Sequence, residues 1–285
     1  MDWFEEKLHP GFHSRLRIDR ILHETKTNHQ HLIIFDNDEF GRVLALDGVV
    51  QTTERDEFIY HEMLAHTPIF AHGGARHVLI IGGGDGGMLE EVLKHKSIET
   101  VVQVEIDNTV VELAKQHLRM ICGDAYEDPR TELVIADGVK FVNKTDRRFD
   151  VIIVDSTDPI GPGEVLFSKN FYAGCKRCLS NGGILVTQNG VPFVQDEELS
   201  NSMKILTQLF TNATSFRASV PAYIGGDMTF GWGSNRTAYT DLDFNTLLVR
   251  FDAAGFKTDY YTPAVHRAAF AMPPYITRLI DIKPD

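Results

Sequence analysis

The sequence predicts an α/β fold in which a small antiparallel β domain precedes a doubly wound parallel sheet. Two observations predict it. Residues 15–53 are β-rich runs separated by the turn-forming stretches DNDEFG and LDG. From about residue 71, short apolar strands rich in β-branched residues alternate with helical segments, which is typical of a parallel sheet covered on both faces.

The N-terminal domain is predicted from the runs RLRIDRILHET, QHLIIFDN and GRVLALDGVVQTT. The segment ERDEFIYHEMLAHTPIF follows with helical spacing of its apolar residues, and we expect this linking helix to end near Pro68. The stretch HGGAR then breaks the pattern. We therefore place a domain boundary near residue 70, between an N-terminal domain of residues 1–70 and a larger domain of residues 71–285.

Strand and helix alternate through the larger domain. The successive pairs are HVLIIG with MLEEVLKH, TVVQVEID with NTVVELAKQHL, TELVIAD with GVKFVNKT, and FDVIIVDST with LFSKNFYAGCKRCL. A strand GILVTQN and strand segments RASVPAYI and MTFGWGS follow, with helices around residues 197–210 and 244–254. This order predicts a Rossmann-like sheet, which binds ligands where the carboxyl ends of its strands meet the loops.

Composition narrows the class of protein. A chain of 285 residues has room for a large and a small domain, and no apolar run approaches the roughly 18 residues of a membrane span. The three cysteines, Cys122, Cys175 and Cys178, are few and odd in number, so we expect reduced thiols and a cytoplasmic protein. The net charge of −12 argues against nucleic acid and anionic membranes as partners.

Acidic residues follow four successive strands of the predicted sheet. Because parallel strands end at one edge, these side chains should meet around one cleft. They are Asp85, Glu105, Asp107, Asp137, Asp155 and Asp158. Any one of them could merely cap the following helix, as Asp137 before GVKFV could.

The turn GGGDGG at residues 82–87 matches the G-x-G-x-x-G pattern, and Glu105 follows at about the spacing of a ribose-binding acid. Spacing alone therefore allows a dinucleotide. Charge opposes it, because two like charges about 4 Å apart repel by roughly 1 kcal/mol in water and about 4 at a protein surface. S-adenosylmethionine or a relative fits better, with its ribose diol on Glu105, its adenine amine on Asp137 and its cationic part near Asp85.

The loop after the fourth strand, DSTDPIGPGE, places two acids beside a stretch stiffened by proline and glycine. Deprotonating an aliphatic amine with a pKa of about 10.4 at pH 7 costs about 4 to 5 kcal/mol. A carboxylate placed here could share that cost as a general base. An amine acceptor is thus compatible with this loop.

At the level of motifs, the chain resembles the spermidine synthase, or polyamine aminopropyltransferase, family. The resemblance rests on GGGDGG, VEID, Asp137-Gly138, DSTDPIGP, DEFIYHEM and HRAAFAMP, and it extends over nearly the whole chain. It implies transfer of an aminopropyl group from decarboxylated S-adenosylmethionine to putrescine, which gives spermidine and methylthioadenosine without metal or bound cofactor. It also implies a homodimer or homotetramer, with the N-terminal β domain as a plausible interface.

The resemblance also implies roles for individual residues. Asp155 is expected to be the catalytic proton acceptor, and Asp158 to anchor the other ammonium of the diamine. The remaining expected contacts are Gln30, Glu105, Asp137, Gly138 and Pro162 for the nucleoside, Asp85 and His61 for the aminopropyl or polyamine portion, and Tyr60, Tyr223 and, more weakly, Gln51 for the diamine. The proline- and glycine-rich loop is expected to act as a gate.

Other interpretations stay open from the residues alone. A methyltransferase shares the predicted fold and the acidic edge, an NAD-linked oxidoreductase fits the glycine spacing, and a non-catalytic nucleotide-binding module is the third alternative. A Ca²⁺ or Mg²⁺ site would suit the carboxylates, although no calcium-loop spacing is present. His61 and His66 are five positions apart and so lie on different helix faces, and Cys175 and Cys178 lie within a predicted helix as buried or half-buried thiols rather than a redox or zinc site.

Overall fold

The computed structural model describes residues 2–159 and 161–281, without the side chains of residues 161 and 162. The strands are β1 Asp2–Glu5, β2 Arg15–Ile18, β3 Arg20–Lys26, β4 His31–Asn37, β5 Gly41–Leu46, β6 Val49–Thr53, β7 His77–Gly82, β8 Thr100–Glu105, β9 Thr131–Ile135, β10 Phe149–Asp155, β11 Leu179–Gln188, β12 Asn212–Ala218 and β13 Met228–Ser234. The α-helices are α1 Glu57–His72, α2 Gly87–Leu93, α3 Asn108–His117, α4 Arg119–Cys122, α5 Gly138–Lys144, α6 Lys169–Cys178, α7 Asp196–Leu209, α8 Phe244–Ala254, α9 Pro263–Ala269 and α10 Pro274–Ile280. Short 3₁₀ helices cover Ala125–Glu127, Gly161–Phe167 and Thr237–Asp241.

The predicted small antiparallel sheet is confirmed, but β1 lies before the predicted runs, and the single run RLRIDRILHET forms two strands, β2 and β3. Strands β3 to β6 form a four-stranded sheet in chain order, and β1 and β2 form a separate hairpin. Side chains of β4 alternate between faces: Leu32 and Ile34 pack with residues of α3, whereas Ile33 and Phe35 pack with residues of the hairpin. This small sheet therefore lies between the hairpin and the larger domain.

The larger sheet has the order β12-β13-β11-β10-β7-β8-β9. Strands β7 to β11 run parallel, as predicted, but β13 is antiparallel to both β11 and β12. The sheet is therefore mixed. The loop of residues 219–227 between β12 and β13 is too short for the crossover that a parallel pair would need. Of the predicted strand segment RASVPAYI, only Arg217 and Ala218 belong to β12, which begins earlier, at Asn212.

Helices cover both faces of this sheet. Val78 and Ile80 of β7 pack into one core with α1 and α2, whereas Leu79 and Ile81 pack into the other with α5, α6 and α7. The chain moves from β7 outward to β9 and then returns to β10 beside β7. Ligands of such sheets bind at this reversal of strand order.

Helix α1 does not end near Pro68, as the sequence suggested. It continues to His72 and ends at Gly73, which has the left-handed φ of 71°. Proline removes one helical hydrogen bond, but Ile69 and Phe70 are buried beyond it, and that packing keeps the last turn helical. The predicted boundary near residue 70 thus falls inside α1, and the division into two domains stays a prediction.

The remaining structural expectations concern cysteines and membranes. Cys122, Cys175 and Cys178 are buried free thiols, as predicted, and burial raises the pKa of Cys175. Within the described residues, no helix is both long enough and apolar enough to cross a membrane.

Candidate active site

The site lies at the reversal of strand order, where β7 and β10 end side by side. Asp155 pairs in register with Gly82, and the Gly83 N–H donates to the Asp155 carbonyl over 2.9 Å. A Cβ on Gly82 would lie 2.1 Å from that carbonyl oxygen, and Gly82 has a φ of 87°. The glycine turn therefore allows the loop to fold tightly against the strand that carries Asp155.

A cavity of about 340 Å³ opens at this point between the two sheets. Among the described side chains, it is lined by every site residue expected from the sequence: Gln30, Gln51, Tyr60, His61, Asp85, Glu105, Asp137, Gly138, Asp155, Asp158 and Tyr223. The side chain of Pro162 lies outside the described part of the chain. The gate formed by this loop stays a prediction.

One side of the cavity carries acids from the ends of β8 and β9. Glu105 is buried and accepts from the Asp107 N–H over 2.9 Å, and burial raises its pKa to about 7. Asp137 both lines the cavity and caps α5 by accepting from the Lys140 N–H. Asp107 instead caps α3 and accepts from Gln30 Nε2 over 3.3 Å, so its side chain positions Gln30.

The centre of the cavity contains a charged cluster around Asp155. Tyr60 donates its hydroxyl to Asp155 Oδ1 over 2.7 Å. His61 donates from Nδ1 to Glu57 over 2.5 Å, and its Nε2 lies 3.6 Å from Asp85. Tyr60 and His61 are neighbours in α1, yet both reach the cavity because its lining spans more than one face of this helix.

Burial and neighbouring charges shift the pKa values of this cluster. Burial lowers the pKa of His61, but Asp85 and Glu57 outweigh it and raise that pKa to about 10, so the ring is an imidazolium at neutral pH. Burial raises the pKa of Asp155 to about 6 against the opposing effect of His61. Ligand atoms of His61, Asp85 and Asp155 lie within 4.8 Å of one another, and a metal ion bound there would have to displace a proton from the imidazolium.

The far end of the cavity contains residues from four separate parts of the chain. Asp158 accepts from Gln195 Nε2 over 2.8 Å, and burial raises its pKa. Glu6, from the N-terminal segment, lines this cavity with Gln188 and Gln195. These three residues were not among those predicted from the sequence. Gln188 ends β11 and could have been found by the rule of strand ends, whereas Glu6 and Gln195 reach the cavity only through tertiary packing.

Tyrosines close the cavity on its remaining side. Tyr223 donates its hydroxyl to the Gln51 carbonyl, and its ring meets that of Tyr60 edge to face with centroids 5.9 Å apart. Burial raises the pKa of both tyrosines, so both hydroxyls stay neutral. Each keeps lone pairs that can accept from an ammonium group.

Comparisons with known proteins agree with this geometry. Residues 57–243 match the family model described as the spermine/spermidine synthase domain, and residues 2–54 match the spermidine synthase tetramerisation domain. The polyamine aminopropyltransferase 1 of Pseudomonas aeruginosa is 57% identical over 98% of each chain. The polyamine aminopropyltransferase of Ruegeria sp. is 56% identical over 97% of this chain and 98% of its own.

Solved structures give the same assignment. A crystal structure of spermidine synthase in complex with the transition state analogue AdoDATO superposes with a TM-score of 0.92, at 35% identity over 98% of this chain and 94% of that one. Spermidine synthase from Thermotoga maritima superposes with a TM-score of 0.89, at 33% identity over 98% and 93%. The chain thus belongs to the spermidine synthase family and is a transferase, a polyamine aminopropyltransferase.

Proposed function

We propose that this enzyme transfers the aminopropyl group of decarboxylated S-adenosylmethionine to putrescine, giving spermidine and methylthioadenosine. The observation that supports it most is a single cavity with Glu105 and Asp137 on one side and both Asp155 and Asp158 beyond. The first pair suits a neutral nucleoside with hydroxyl and amine donors. The second pair suits a molecule with two cationic ends.

The donor is proposed to bind between the glycine turn and the ends of β8 and β9. Glu105 accepts from the ribose hydroxyls, Gln30 and Gly138 contact the nucleoside, Asp137 accepts from the adenine amine, and Pro162 is expected to complete this subsite. Asp85 accepts from the ammonium of the aminopropyl group. S-adenosylmethionine itself carries a carboxylate near that ammonium, and its repulsion by Asp85 favours the decarboxylated donor.

Putrescine is proposed to lie along Tyr60 and Tyr223, with Gln51 beside them. Asp158 holds the far ammonium, and Asp155 accepts a proton from the near amine. The amine nitrogen then attacks the methylene carbon of the aminopropyl group that is bonded to sulfur. The bond between that carbon and sulfur breaks, and its electron pair converts the sulfonium to a neutral thioether. Every other bond of the donor stays intact, so no metal or bound cofactor is needed for the balance of electrons.

His61 is proposed to act through its charge. The resemblance implies that His61 holds the aminopropyl or polyamine portion, but an imidazolium only donates hydrogen bonds and repels ammonium groups. Its contacts with Glu57 and Asp85 place a fixed cation beside Asp155. This cation keeps Asp155 ionised despite burial, which a base requires.

We further propose that the chain forms a homo-oligomer through its N-terminal domain. The match to a tetramerisation domain supports this, as do the exposed apolar side chains of Trp3 and Ile21, which are 52% and 47% accessible. A dimer and a tetramer are both compatible with these observations. The expected cytoplasmic location stays a prediction.

The test of this function is a product assay. The protein is incubated with decarboxylated S-adenosylmethionine and diamines of three, four and five carbons, and products are identified by mass. We expect spermidine and methylthioadenosine in equal amounts from the four-carbon diamine. Methylated product from S-adenosylmethionine, without any aminopropyl product, would instead support the methyltransferase alternative.

A further inference from the structure

The far end of the cavity contains a hydrogen-bonded bridge that the transfer reaction itself does not require. We call Asp158, Gln195 and Glu198 the far-end bridge. Gln195 Nε2 donates to Asp158 Oδ1 over 2.8 Å and to Glu198 Oε2 over 3.1 Å. Gln195 Oε1 accepts from the Val191 N–H over 2.8 Å. Because a backbone donor holds the oxygen of this amide, its nitrogen faces the two acids.

The backbone around the bridge has little spare room. A Cβ on Gly190 would lie 2.8 Å from Gln195 Oε1 and 3.1 Å from the Glu198 carboxyl carbon, and Gly190 has a left-handed φ of 67°. The Gly190 N–H in turn donates to Gln188 over 2.8 Å. The loop after β11 is thus held closely against the bridge, so the amide has few alternative positions.

The two acids of the bridge are not equivalent. Burial, together with the charge of Asp158, raises the pKa of Glu198 to about 9, so Glu198 is protonated at neutral pH. Its Oε1 is buried without a hydrogen-bond partner among the described residues, whereas Asp158 lines the cavity. The bridge therefore presents one negative charge to the cavity, on Asp158, whose Oδ1 is held by Gln195 and whose carboxylate also has Gln188 as a hydrogen-bond partner.

We propose that Gln195 is a positioning residue that orients Asp158 toward the far ammonium of the acceptor and thereby makes the enzyme prefer diamines to monoamines. This inference rests on the proposed function. Asp158 attracts only the acceptor end that does not react. Loss of its orientation therefore penalises butane-1,4-diamine, which has a far ammonium, more than butan-1-amine, which has none.

The experiment measures kcat and KM for both amines, at saturating decarboxylated donor, in the wild type and in variants. Gln195→Leu keeps the approximate volume of the side chain but removes its hydrogen bonds, and Gln195→Asn withdraws the amide by one methylene. Glu198→Gln keeps a neutral group that can accept from Gln195. Gln208→Leu makes the same change on the exposed face of α7 and is the matched control.

We expect both Gln195 variants to lower the diamine-to-monoamine ratio of kcat/KM at least tenfold, mainly through KM for the diamine. The ratio should stay within about threefold of the wild type in Glu198→Gln and Gln208→Leu. Equal losses for both amines, or no loss, would overturn the inference, because a merely structural role cannot distinguish them. If Gln195→Leu does not fold, Gln195→Asn decides. A wild type without aminopropyl transfer to any amine would refute the proposed function instead.

Discussion

Replacing His61 with glutamine is expected to shift the acidic limb of the pH dependence of kcat/KM to higher pH. Asp155, with a pKa of about 6, must be ionised to act as a base, and His61, with a pKa of about 10, is one cause that lowers the pKa of Asp155. Glutamine can still donate to Glu57 but carries no charge. Without the cation the pKa of Asp155 rises, so activity is lost at a higher pH as the pH falls.

The size of the shift follows from the geometry. Ligand atoms of His61, Asp85 and Asp155 lie within 4.8 Å of one another. At that distance two unit charges interact by roughly 3 kcal/mol at an effective dielectric constant of about 20, which corresponds to roughly 2 pKa units. Water that enters beside the uncharged glutamine offsets part of this rise in the pKa of Asp155. We therefore expect the limb to move by about one unit, from near pH 6 toward pH 7.

The assay measures kcat/KM for butane-1,4-diamine from about pH 5 to about pH 9 at saturating donor, which reports ionisations of the enzyme–donor complex and the free amine. His31→Gln makes the same change at a half-exposed histidine paired with Glu24, and it should keep the wild-type limb. A limb in His61→Gln that does not move, or moves to lower pH, would refute either the charge on His61 or the role of Asp155 as base.

Three further predictions concern the cavity and the far-end bridge. Asp155→Asn should lower kcat at least about 100-fold in single-turnover assays while the donor Kd, measured by calorimetry, changes little, because only the base is lost; retained kcat would contradict this role. Glu105→Gln should raise the donor KM about tenfold through loss of charged hydrogen bonds to ribose, with a smaller effect on kcat; an unchanged donor KM would place the ribose elsewhere. Glu198→Gln should raise Tm at about pH 8 but not near pH 4.5. The pKa of Glu198, about 9 in the folded protein, exceeds its ordinary value of about 4.5. The free energy of unfolding of the wild type therefore falls as the pH rises from about 4.5 to about 9, and at pH 7 the loss is about 3 kcal/mol. A Tm difference independent of pH would contradict that shift.

Local pattern was sufficient to predict most of the architecture and the acidic edge. Parallel strands end together, so Asp85, Glu105, Asp137 and Asp155 could be assigned to one cleft from their positions after apolar runs alone. The resemblance to a family added residues such as Gln30, which no strand-end rule identifies.

Features that depend on tertiary packing were not predictable in the same way. Pro68 signals the end of a helix, but buried side chains beyond it extend α1 by a further turn. Glu6 and Gln195 join the cavity from elements distant in sequence, and nothing in their local pattern indicates this. The charge of His61 likewise depends on the approach of Asp85 from the turn before α2, a tertiary contact that the sequence does not display.

The two ends of the cavity resolve an electrostatic conflict in the proposed reaction. Acids that attract a dication also stabilise its charged form, so they raise the pKa of the amine that must lose a proton. At the near end, the imidazolium of His61 offsets the negative charge of Asp85 and Asp155, which weakens that effect. At the far end Asp158 lies beside the neutral amide of Gln195 and keeps its full attraction. The near end of the cavity thus favours a neutral amine and the far end an ammonium. Of the two equivalent amino groups of the diamine, the one bound at the near end is therefore the one that reacts.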